Sequence, residues 1–384
     1  MAFPPGKLQT ALAIGFAAAL AAIFLELLTP VRGFDWKIYD AFMRKTADPT
    51  AIPKDIVIVA IDEPSLKWVA PHAGRWPWKR SAYAALIAEL DAAGAKMIVF
   101  DLLFSEPAED AYEDDRFYSY LRAARPPVFL ASLASTCVAG PPDQWGSWRD
   151  FGCVTVPADE DGIIRRLEQD NSNSCLGAKV YRRLNPLARD TFVRSPLFLR
   201  YDASYESGWK ARSYGAGPLV LHGYRILDHV AEKAQDEMDP TQVRAVLDAL
   251  PPELAPPRPD FFRGKIVYIG AVAAGTFDVK ATPLGGTEPG VVVQTTALAN
   301  FIHDDFIRPA NRGFLIVLTL LCALLASFSL AFIPKILGQI MAAVLLLAIL
   351  FGASLMLFKA GFWISPLTAA LAVFIALTSG LAAN

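Results

Sequence analysis

Charged residues are scarce in this sequence of 384 residues, and neither sign dominates among them. Only 19% of the residues are Asp, Glu, Lys or Arg, with 36 basic side chains against 38 acidic ones and a net charge of −2. No excess of positive charge is available for a nucleic-acid surface, so we expect no nucleic acid as a partner. With 54% hydrophobic residues, the chain is neither disordered nor an ordinary soluble protein. Part of it is therefore expected to lie in a lipid bilayer.

Histidine is also scarce, and this scarcity bears on metal binding. The four histidines are His72, His222, His229 and His303. No two of them have the spacing of a metal-ligand pair. We therefore predict neither a metal centre nor a cofactor.

Cysteine is as rare as histidine, with four in the chain. Cys322 falls inside an apolar run, whereas the other three lie in one loop-rich stretch: Cys137, Cys153 and Cys175. One disulfide with a spare thiol would suit an oxidising compartment, and three buried free thiols are the alternative. The sequence does not decide between these arrangements or indicate which cysteines would pair.

Four long apolar runs stand out, at residues 8–28, 313–334, 336–358 and 360–383. A helix rises about 1.5 Å per residue, so runs of this length can cross a hydrocarbon core of about 30 Å. Lys335 and Lys359 separate the last three runs. A cleaved signal peptide is the alternative for the first run, which is longer than the apolar region of such a peptide. We predict four transmembrane helices, one N-terminal and three C-terminal.

Four crossings put both chain ends on one side of the membrane and residues 29–312 on the other. If residues 29–312 are exported, they form a large extracytoplasmic domain and residues 1–7 form a short cytoplasmic N-terminus. Lys7, Lys335 and Lys359 are too few for the loop-charge rule to decide the orientation. The orientation can therefore be inferred only from the family of proteins that the domain resembles.

The segment 29–312 begins with a pattern typical of an α/β fold. Ile56–Ile61 is a continuous apolar run, as expected for a strand buried on both faces, and residues 97–100 form a second one. Between them, apolar residues recur at helical spacing over Tyr83–Leu90, with Ser81 as the predicted N-cap. Such a strand–helix–strand unit is parallel and right-handed. We predict a mostly parallel sheet.

The same alternation continues along the segment. We predict a helix over 116–124, strands over 127–133 and 265–269, and a helix over 290–302. Residues 154–156 and 163–167 flank the acidic turn Ala158–Gly162, which indicates a hairpin. Because acidic residues lie beside Arg165 and Arg166, we interpret this hairpin as a solvated turn with local ion pairs.

Acidic residues mark the predicted ends of the strands, where ligands bind in open α/β sheets. Asp62 and Asp101 follow two of these strands, and three further acids lie nearby: Glu63, Glu106 and Asp278. Clustered carboxylates can hold Mg²⁺ or Ca²⁺. No nucleophile, histidine pair or phosphate loop accompanies them, so helix capping or pairing with arginines is the favoured interpretation. All five remain candidate ligand-binding residues.

The segment Gly74–Trp78 is a second candidate site. The guanidinium of Arg75, between Trp76 and Trp78, can hold a carboxylate or phosphate while the indoles stack on a ring. In the alternative interpretation the segment is a rigid turn, in which Trp78 fills the core. Both interpretations stay open on the sequence.

These motifs, in their order along the chain, resemble the CHASE domain of the second class. The matching segments are residues 56–62, 74–78, 93–95, 100–101, 104–107, 159–162, 165–166, 264–270, 282–283 and 289–291. They cover nearly all of the stretch from Asp35 to Asp304. The resemblance implies an extracytoplasmic sensor, anchored by one N-terminal helix and followed by three C-terminal ones. It also implies a bacterial cytoplasmic membrane, with the domain in the periplasm.

In that family a cytoplasmic nucleotide cyclase or kinase is the usual output. This sequence has no Gly-rich nucleotide loop, kinase phosphoacceptor context or cyclase carboxylate pair, so we expect no enzyme activity. We expect a sensor that transmits the binding of a small ligand or an envelope protein to a separate cyclase or kinase. The alternatives are a structural or accessory subunit that docks in a larger membrane complex, and a metal-dependent hydrolase centred on Asp62 and Asp101.

Overall fold

The structure is a computed structural model that describes residues 5–133, 148, 150–167, 175–187, 196–234, 239–276 and 278–383. The helices are α1 Pro5–Glu26, α2 Thr29–Thr46, α3 Glu63–Ala73, α4 Arg80–Ala92, α5 Ala111–Ala123, α6 Leu176–Leu184, α7 Ala216–Ala234, α8 Pro240–Asp248, α9 Pro259–Phe262, α10 Gly290–His303, α11 Arg312–Phe332, α12 Ile336–Lys359 and α13 Leu367–Ala383. The strands are β1 Ile56–Ile61, β2 Met97–Leu103, β3 Val128–Ser132, β4 Phe151–Cys153, β5 Arg166–Leu167, β6 Leu197–Phe198, β7 Ser213–Gly215, β8 Ile266–Ala271, β9 Val279–Thr282, β10 Gly286–Pro289, β11 Arg308–Pro309 and β12 Phe362–Trp363.

The chain divides into two compact units. One, which we call the α/β unit, is Ala47–Asp304. The other, which we call the helical unit, combines Met1–Thr46 with Asp305–Asn384. In this division α2 and the short strand β11 group with the apolar helices. The predicted boundaries of the extracytoplasmic domain, residues 29 and 312, stay a prediction.

Six parallel strands form the main sheet of the α/β unit, in the order β4-β3-β2-β8-β1-β7. β8 lies between β1 and β2, and its Ile266 pairs with Ile56 on one side and with Met97 on the other. All residues of β1 are buried, which is why its sequence is an unbroken apolar run. The predicted α/β fold with a parallel sheet is confirmed.

Helices cover both faces of this sheet. Val57 and Val59 of β1 face a core shared with α3, α4, α5, α7 and α8. Ile56 and Ile58 point to the opposite face, where α6 and α10 form a second core. Because successive strand residues point to opposite faces, each strand contributes to both cores. Full burial of one such aliphatic side chain contributes about 1.5–3 kcal/mol.

Two predictions about local structure are wrong, and neighbouring contacts explain both. Ser81 is not the N-cap of α4, which begins at Arg80; its backbone N–H donates to Glu113 Oε2 at 2.6 Å. No hairpin forms around the acidic turn, because tertiary partners take the backbone groups it would use. The carbonyl of Val154 accepts from the Gln294 side chain at 3.0 Å, and the N–H of Ile164 donates to Ala281 at 2.9 Å.

The helical unit has a core of small residues. Ala22 of α1 packs with Ala323 and Ala326 of α11 and with Ala372 and Ala376 of α13. Small side chains let apolar helices approach closely, which is the usual packing of membrane-spanning helices.

Three helices in the described part of the chain are long and apolar enough to cross a membrane: Gly6–Glu26, Arg312–Phe332 and Ile336–Lys359. The helix α13 has 17 residues and belongs to the shorter apolar helices. The structure therefore supports three of the four predicted crossings by length and composition, and the fourth stays a prediction.

Gly223 allows α4 and α7 to pack with their backbones in contact, and its substitution tests this packing. A Cβ atom at Gly223 would lie 2.3 Å from the carbonyl oxygen of Ala85. We expect Gly223→Ala to lower the free energy of unfolding by about 2 kcal/mol, because the overlap outweighs the better helix propensity of alanine. Unfolding of the full chain in detergent, followed by tryptophan fluorescence, measures the change.

Gly286→Ala is the matched control, since nothing lies within 4 Å of a Cβ added there. We expect the control to unfold like the unaltered chain. Equal stability of the two variants would contradict the close approach of α4 and α7.

Candidate functional site

A cavity of about 520 Å³ opens at the carboxyl edge of the sheet, where β2, β3 and β8 end. Its walls come from these strand ends, from the start of α10, from β9 and from the segment Val154–Ile164, which we call the wall segment. Most of the lining is apolar, and the polar or charged lining residues are Asp101, Thr155, Thr276, Asp278, Lys280 and Gln294. The volume and the lining suit a small organic ligand.

Asp101 supplies the unusual charge of this cavity. Burial raises its pKa to about 7, and the nearby carboxylate of Asp278 adds to the rise while Lys280 opposes it. Its Oδ2 atom is buried and has no hydrogen-bond partner among the described residues. Lys280 is already paired with Asp278, at 3.1 Å from Nζ to Oδ1. When Asp101 is ionised, the cavity therefore holds one carboxylate without a matching positive charge.

The sequence expectation placed Asp101 after a strand of four residues, whereas β2 continues through Leu103. Asp101 therefore lies within the last part of the strand. It lies one residue beyond the last pair of β2 with β8, Phe100 with Ile269, and inside the stretch where the pairing of β2 with β3 changes register. This irregularity at the strand end places Asp101 in the cavity lining.

Gly290 lets the carboxylate of Asp278 lie against the start of α10. A Cβ atom at Gly290 would be 2.3 Å from Asp278 Oδ2, and the Gly290 N–H donates to the Asp278 carbonyl at 3.0 Å. One turn further along α10, Gln294 donates from Nε2 to the Val154 carbonyl at 3.0 Å. Its Oε1 is buried without a partner in the part of the chain that the structure describes. The start of α10 thus contributes a second acceptor.

A buried arginine holds the wall segment in place. Arg165 is fully buried and donates to Asp159 Oδ2 at 3.0 Å and to both carboxylate oxygens of Asp161, at 2.9 and 2.7 Å. The Arg165 hydrogen bond lowers the pKa of Asp161. The predicted local ion pairs form, and residues 160–162 of the turn are exposed as expected. The difference from the prediction is that Asp159 and the Arg165 guanidinium are inside the protein, where they compensate each other.

The structure brings three of the candidate residues to the cavity: Trp76, Asp101 and Asp278. The other five lie elsewhere: Asp62, Glu63, Arg75, Trp78 and Glu106. Arg75 and Glu106 are exposed, and Glu63 is in the first turn of α3. Trp78 is buried in the core and meets Trp76 edge to face at 5.5 Å. The GRWPW segment therefore does not form a guanidinium clamp between two indoles.

Asp62 has a structural partner set. It caps α3, accepting at Oδ1 from the Ser65 N–H at 2.9 Å and from the Ser65 hydroxyl at 2.5 Å. The Ser65 hydroxyl in turn accepts from Gly217 N–H at 2.8 Å. Asp62 is at the end of β1, and β8 separates this strand from β2 with Asp101. Within the described ranges, no group of three or more His, Cys, Asp or Glu residues could hold a metal ion.

The pairing of the cysteines stays a prediction. Cys153 and Cys175 are half-buried and Cys322 is buried, whereas Cys137 lies outside the described residues.

Lys280 and Gln294 line the cavity but were not singled out from the sequence. The sequence does contain a signal for Gln294, because this residue follows three valines in a buried helix. A polar side chain in such a position is expected to have a hydrogen-bond partner or a functional role. Lys280 carries no such signal, since its role depends on the carboxylate of Asp278 two residues earlier and on the cavity beside both.

Comparison with known proteins identifies one family. The family model of the CHASE2 domain matches residues 16–332. No curated protein and no solved structure matches the chain. The match includes the whole α/β unit with its main sheet and its cavity, and it confirms the resemblance found in the motifs.

Removal of the buried guanidinium tests the anchoring of the wall segment. We expect Arg165→Ala to lower the free energy of unfolding by about 3–5 kcal/mol, because it leaves the buried Asp159 carboxylate without its main partner. Arg166→Ala is the control, because this side chain is 32% exposed while it also pairs with Asp159, at 3.1 Å from Nη2 to Oδ1. Chemical unfolding in detergent compares the two. A loss below about 1 kcal/mol for Arg165→Ala would contradict the anchor.

The pKa of Asp101 predicts a pH dependence of stability. Between about pH 4 and pH 7 the native state keeps a proton that the unfolded chain has lost, so the free energy of unfolding falls as the pH rises and is level above this window. Asp101→Asn cannot titrate, so we expect it to gain stability over the unaltered chain at pH 8, by at most about 4 kcal/mol, and little at pH 4. Thermal unfolding across this range measures the difference.

Asp260→Asn, at an exposed position of α9, is the control and should leave the pH profile unchanged. A profile of Asp101→Asn parallel to that of the unaltered chain would show that Asp101 does not titrate in this window.

Proposed function

Because the chain belongs to the CHASE2 domain family, we propose that it is a membrane-anchored sensor whose α/β unit recognises a small ligand outside the cytoplasm. CHASE2 domains are extracellular sensory domains, and the apolar helices fit a lipid environment. In this proposal the helices cross the bacterial cytoplasmic membrane four times, with α13 as the last crossing. The α/β unit then lies in the periplasm, and the chain itself has a non-catalytic role.

One observation carries the proposal: the cavity contains a half-buried carboxylate, that of Asp101, with one buried oxygen that has no partner among the described residues and no matching positive charge. Keeping the ionised form of Asp101 away from water costs free energy, and this cost is reflected in its raised pKa. A ligand that brings a positive charge to Asp101 recovers the cost and adds a charge-assisted hydrogen bond. A structural carboxylate, such as that of Asp62, has its partners already in the protein.

The rest of the cavity narrows the class of ligand. The Oε1 atom of Gln294 is a second acceptor beside the carboxylate of Asp101. Both groups can accept hydrogen bonds from N–H or O–H groups of a ligand. Leu103, Val154 and Val293 are among the apolar residues that line the remainder. We therefore propose a ligand with an apolar body and one cationic nitrogen, such as an aryl-alkyl amine.

The position of α10 supports a route for the signal. Its first two turns line the cavity through Gly290 and Gln294, and it ends at His303, next to the end of the α/β unit at Asp304. The chain then continues toward α11, one of the helices able to cross a membrane. A ligand with different affinity for two positions of α10 would shift their populations. A cytoplasmic cyclase or kinase is the proposed receiver.

Ligand binding can be tested with three compounds that share one apolar body. We expect phenethylamine to raise the melting temperature of the detergent-purified chain, and the neutral 2-phenylethanol and the anionic 3-phenylpropanoate to have a much smaller effect. Binding of the amine should weaken as the pH falls from 8 to 6, because Asp101 becomes protonated. Isothermal titration gives the affinity at each pH.

Asp101→Asn should lower the affinity for the amine about tenfold or more, as expected for the loss of a charge-assisted hydrogen bond. Asp260→Asn has the same change of charge at an exposed site and should bind like the unaltered chain. Preference for the anionic compound would contradict the ligand class. Absence of binding by any cationic compound in a wider amine panel would favour a docking subunit over a sensor.

A further inference from the structure

We propose that Cys153 and Cys175 form a disulfide bond and so close a covalent loop that contains the wall segment of the cavity. Cys153 is the last residue of β4, and Cys175 directly precedes α6. The two residues are partners in an isolated parallel β-bridge. This inference concerns covalent chemistry and does not depend on the identity of the ligand.

The bridge puts the two cysteines within disulfide range. Paired residues on neighbouring strands lie about 5 Å apart, which is inside the range of about 4.4–6.8 Å between the Cα atoms of a disulfide. Side chains of directly paired residues point to the same face of a sheet. Both thiols are only partly exposed. Burial raises the pKa of the Cys175 thiol, and the Cys153 thiol adds to this rise, as expected for two close thiols.

Gly152 makes this close approach possible. A Cβ atom at Gly152 would lie 2.5 Å from the Cα of Leu176, so only glycine lets the two backbones touch. Leu176 is fully buried in the core formed with α10. The approach is therefore built into the core packing beside both cysteines.

The position of the pair gives the bond a structural purpose. The residues between the cysteines, 154–174, include the part of the cavity wall from Val154 to Ile164. Arg165 holds the acidic turn within this loop, whereas the disulfide would join the two ends of the loop, Cys153 and Cys175. A disulfide that closes a loop of this length stabilises a fold by about 3 kcal/mol, because it lowers the conformational entropy of the unfolded chain.

Formation of the bond needs an oxidant. The proposed location outside the cytoplasm supplies one, so this step rests on the proposed function. Each thiol loses a proton, and the pair loses two electrons to a dithiol–disulfide oxidoreductase of the oxidising compartment. The thiolate of one cysteine attacks the disulfide of the oxidant and forms a mixed disulfide. The thiolate of the other cysteine then displaces the oxidant, which leaves as its dithiol.

Counting free thiols tests the pairing on the full chain. The chain is expressed in a bacterium that exports the domain, treated with N-ethylmaleimide in membranes, purified, denatured and labelled again with the same reagent. Of the four cysteines we expect two labels without reduction and four after reduction, by intact mass. Peptide mapping should find the bond between Cys153 and Cys175.

Single serine variants identify the partners. Cys153→Ser and Cys175→Ser should each carry three labels without reduction, because the remaining partner becomes free. The control Cys137→Ser should carry one label, on Cys322, and keep the bond. Four labels on the unreduced chain, or three on Cys137→Ser, would overturn the proposal. Reduction should also lower the melting temperature of the unaltered chain and not that of Cys153→Ser.

Discussion

Helices cover both faces of the parallel sheet, and this constraint decides where the α/β unit can receive a ligand. α4 and α7 seal one face with backbone contact at Gly223, and α6 and α10 seal the other. Among the described residues, the carboxyl ends of the strands are left open by these helices. The ends of β2, β3 and β8 line a cavity there, which the wall segment and β9 complete. The position of the site thus follows from the way the core is buried.

Two charged groups at this cavity, Arg165 and Asp101, differ in how the protein compensates the cost of removing a charge from water. Arg165 is out of contact with water but meets the carboxylates of Asp159 and Asp161, so it acts as an anchor. Asp101 lacks such compensation, because Lys280 is engaged with Asp278. An anchor needs all its partners within the protein, whereas a binding group needs one from outside. This contrast is the physical basis for assigning a structural role to Arg165 and a recognition role to Asp101.

The sequence predicts the parts of this protein that depend on local pattern. The strand Ile56–Ile61 matches its predicted bounds, since burial on both faces leaves an unbroken apolar run. Strand β4 has three residues and no pattern; it forms because Gly152 lets the chain pack against Leu176. The acidic residues beside Arg165 look like a surface turn in sequence, and Glu160 and Asp161 are indeed exposed. The burial of Asp159 and Arg165 depends on tertiary contacts, such as the backbone hydrogen bonds of Ile164 with Ala281 and of Arg165 with Leu199. Whether a residue lines a cavity also depends on tertiary contacts. Asp101 was a candidate because it follows a predicted strand, whereas no local pattern marks Lys280.

The central claim is that a ligand enters at the carboxyl edge and acts on α10 and the wall segment. Hydrogen–deuterium exchange of the full chain in detergent, with and without a saturating cationic ligand, tests this most directly. The account predicts slower exchange of backbone amides in residues 154–164, in β9 and in the first two turns of α10. Slower exchange confined to α3 and the segment after Asp62, with no change around the cavity, would contradict it.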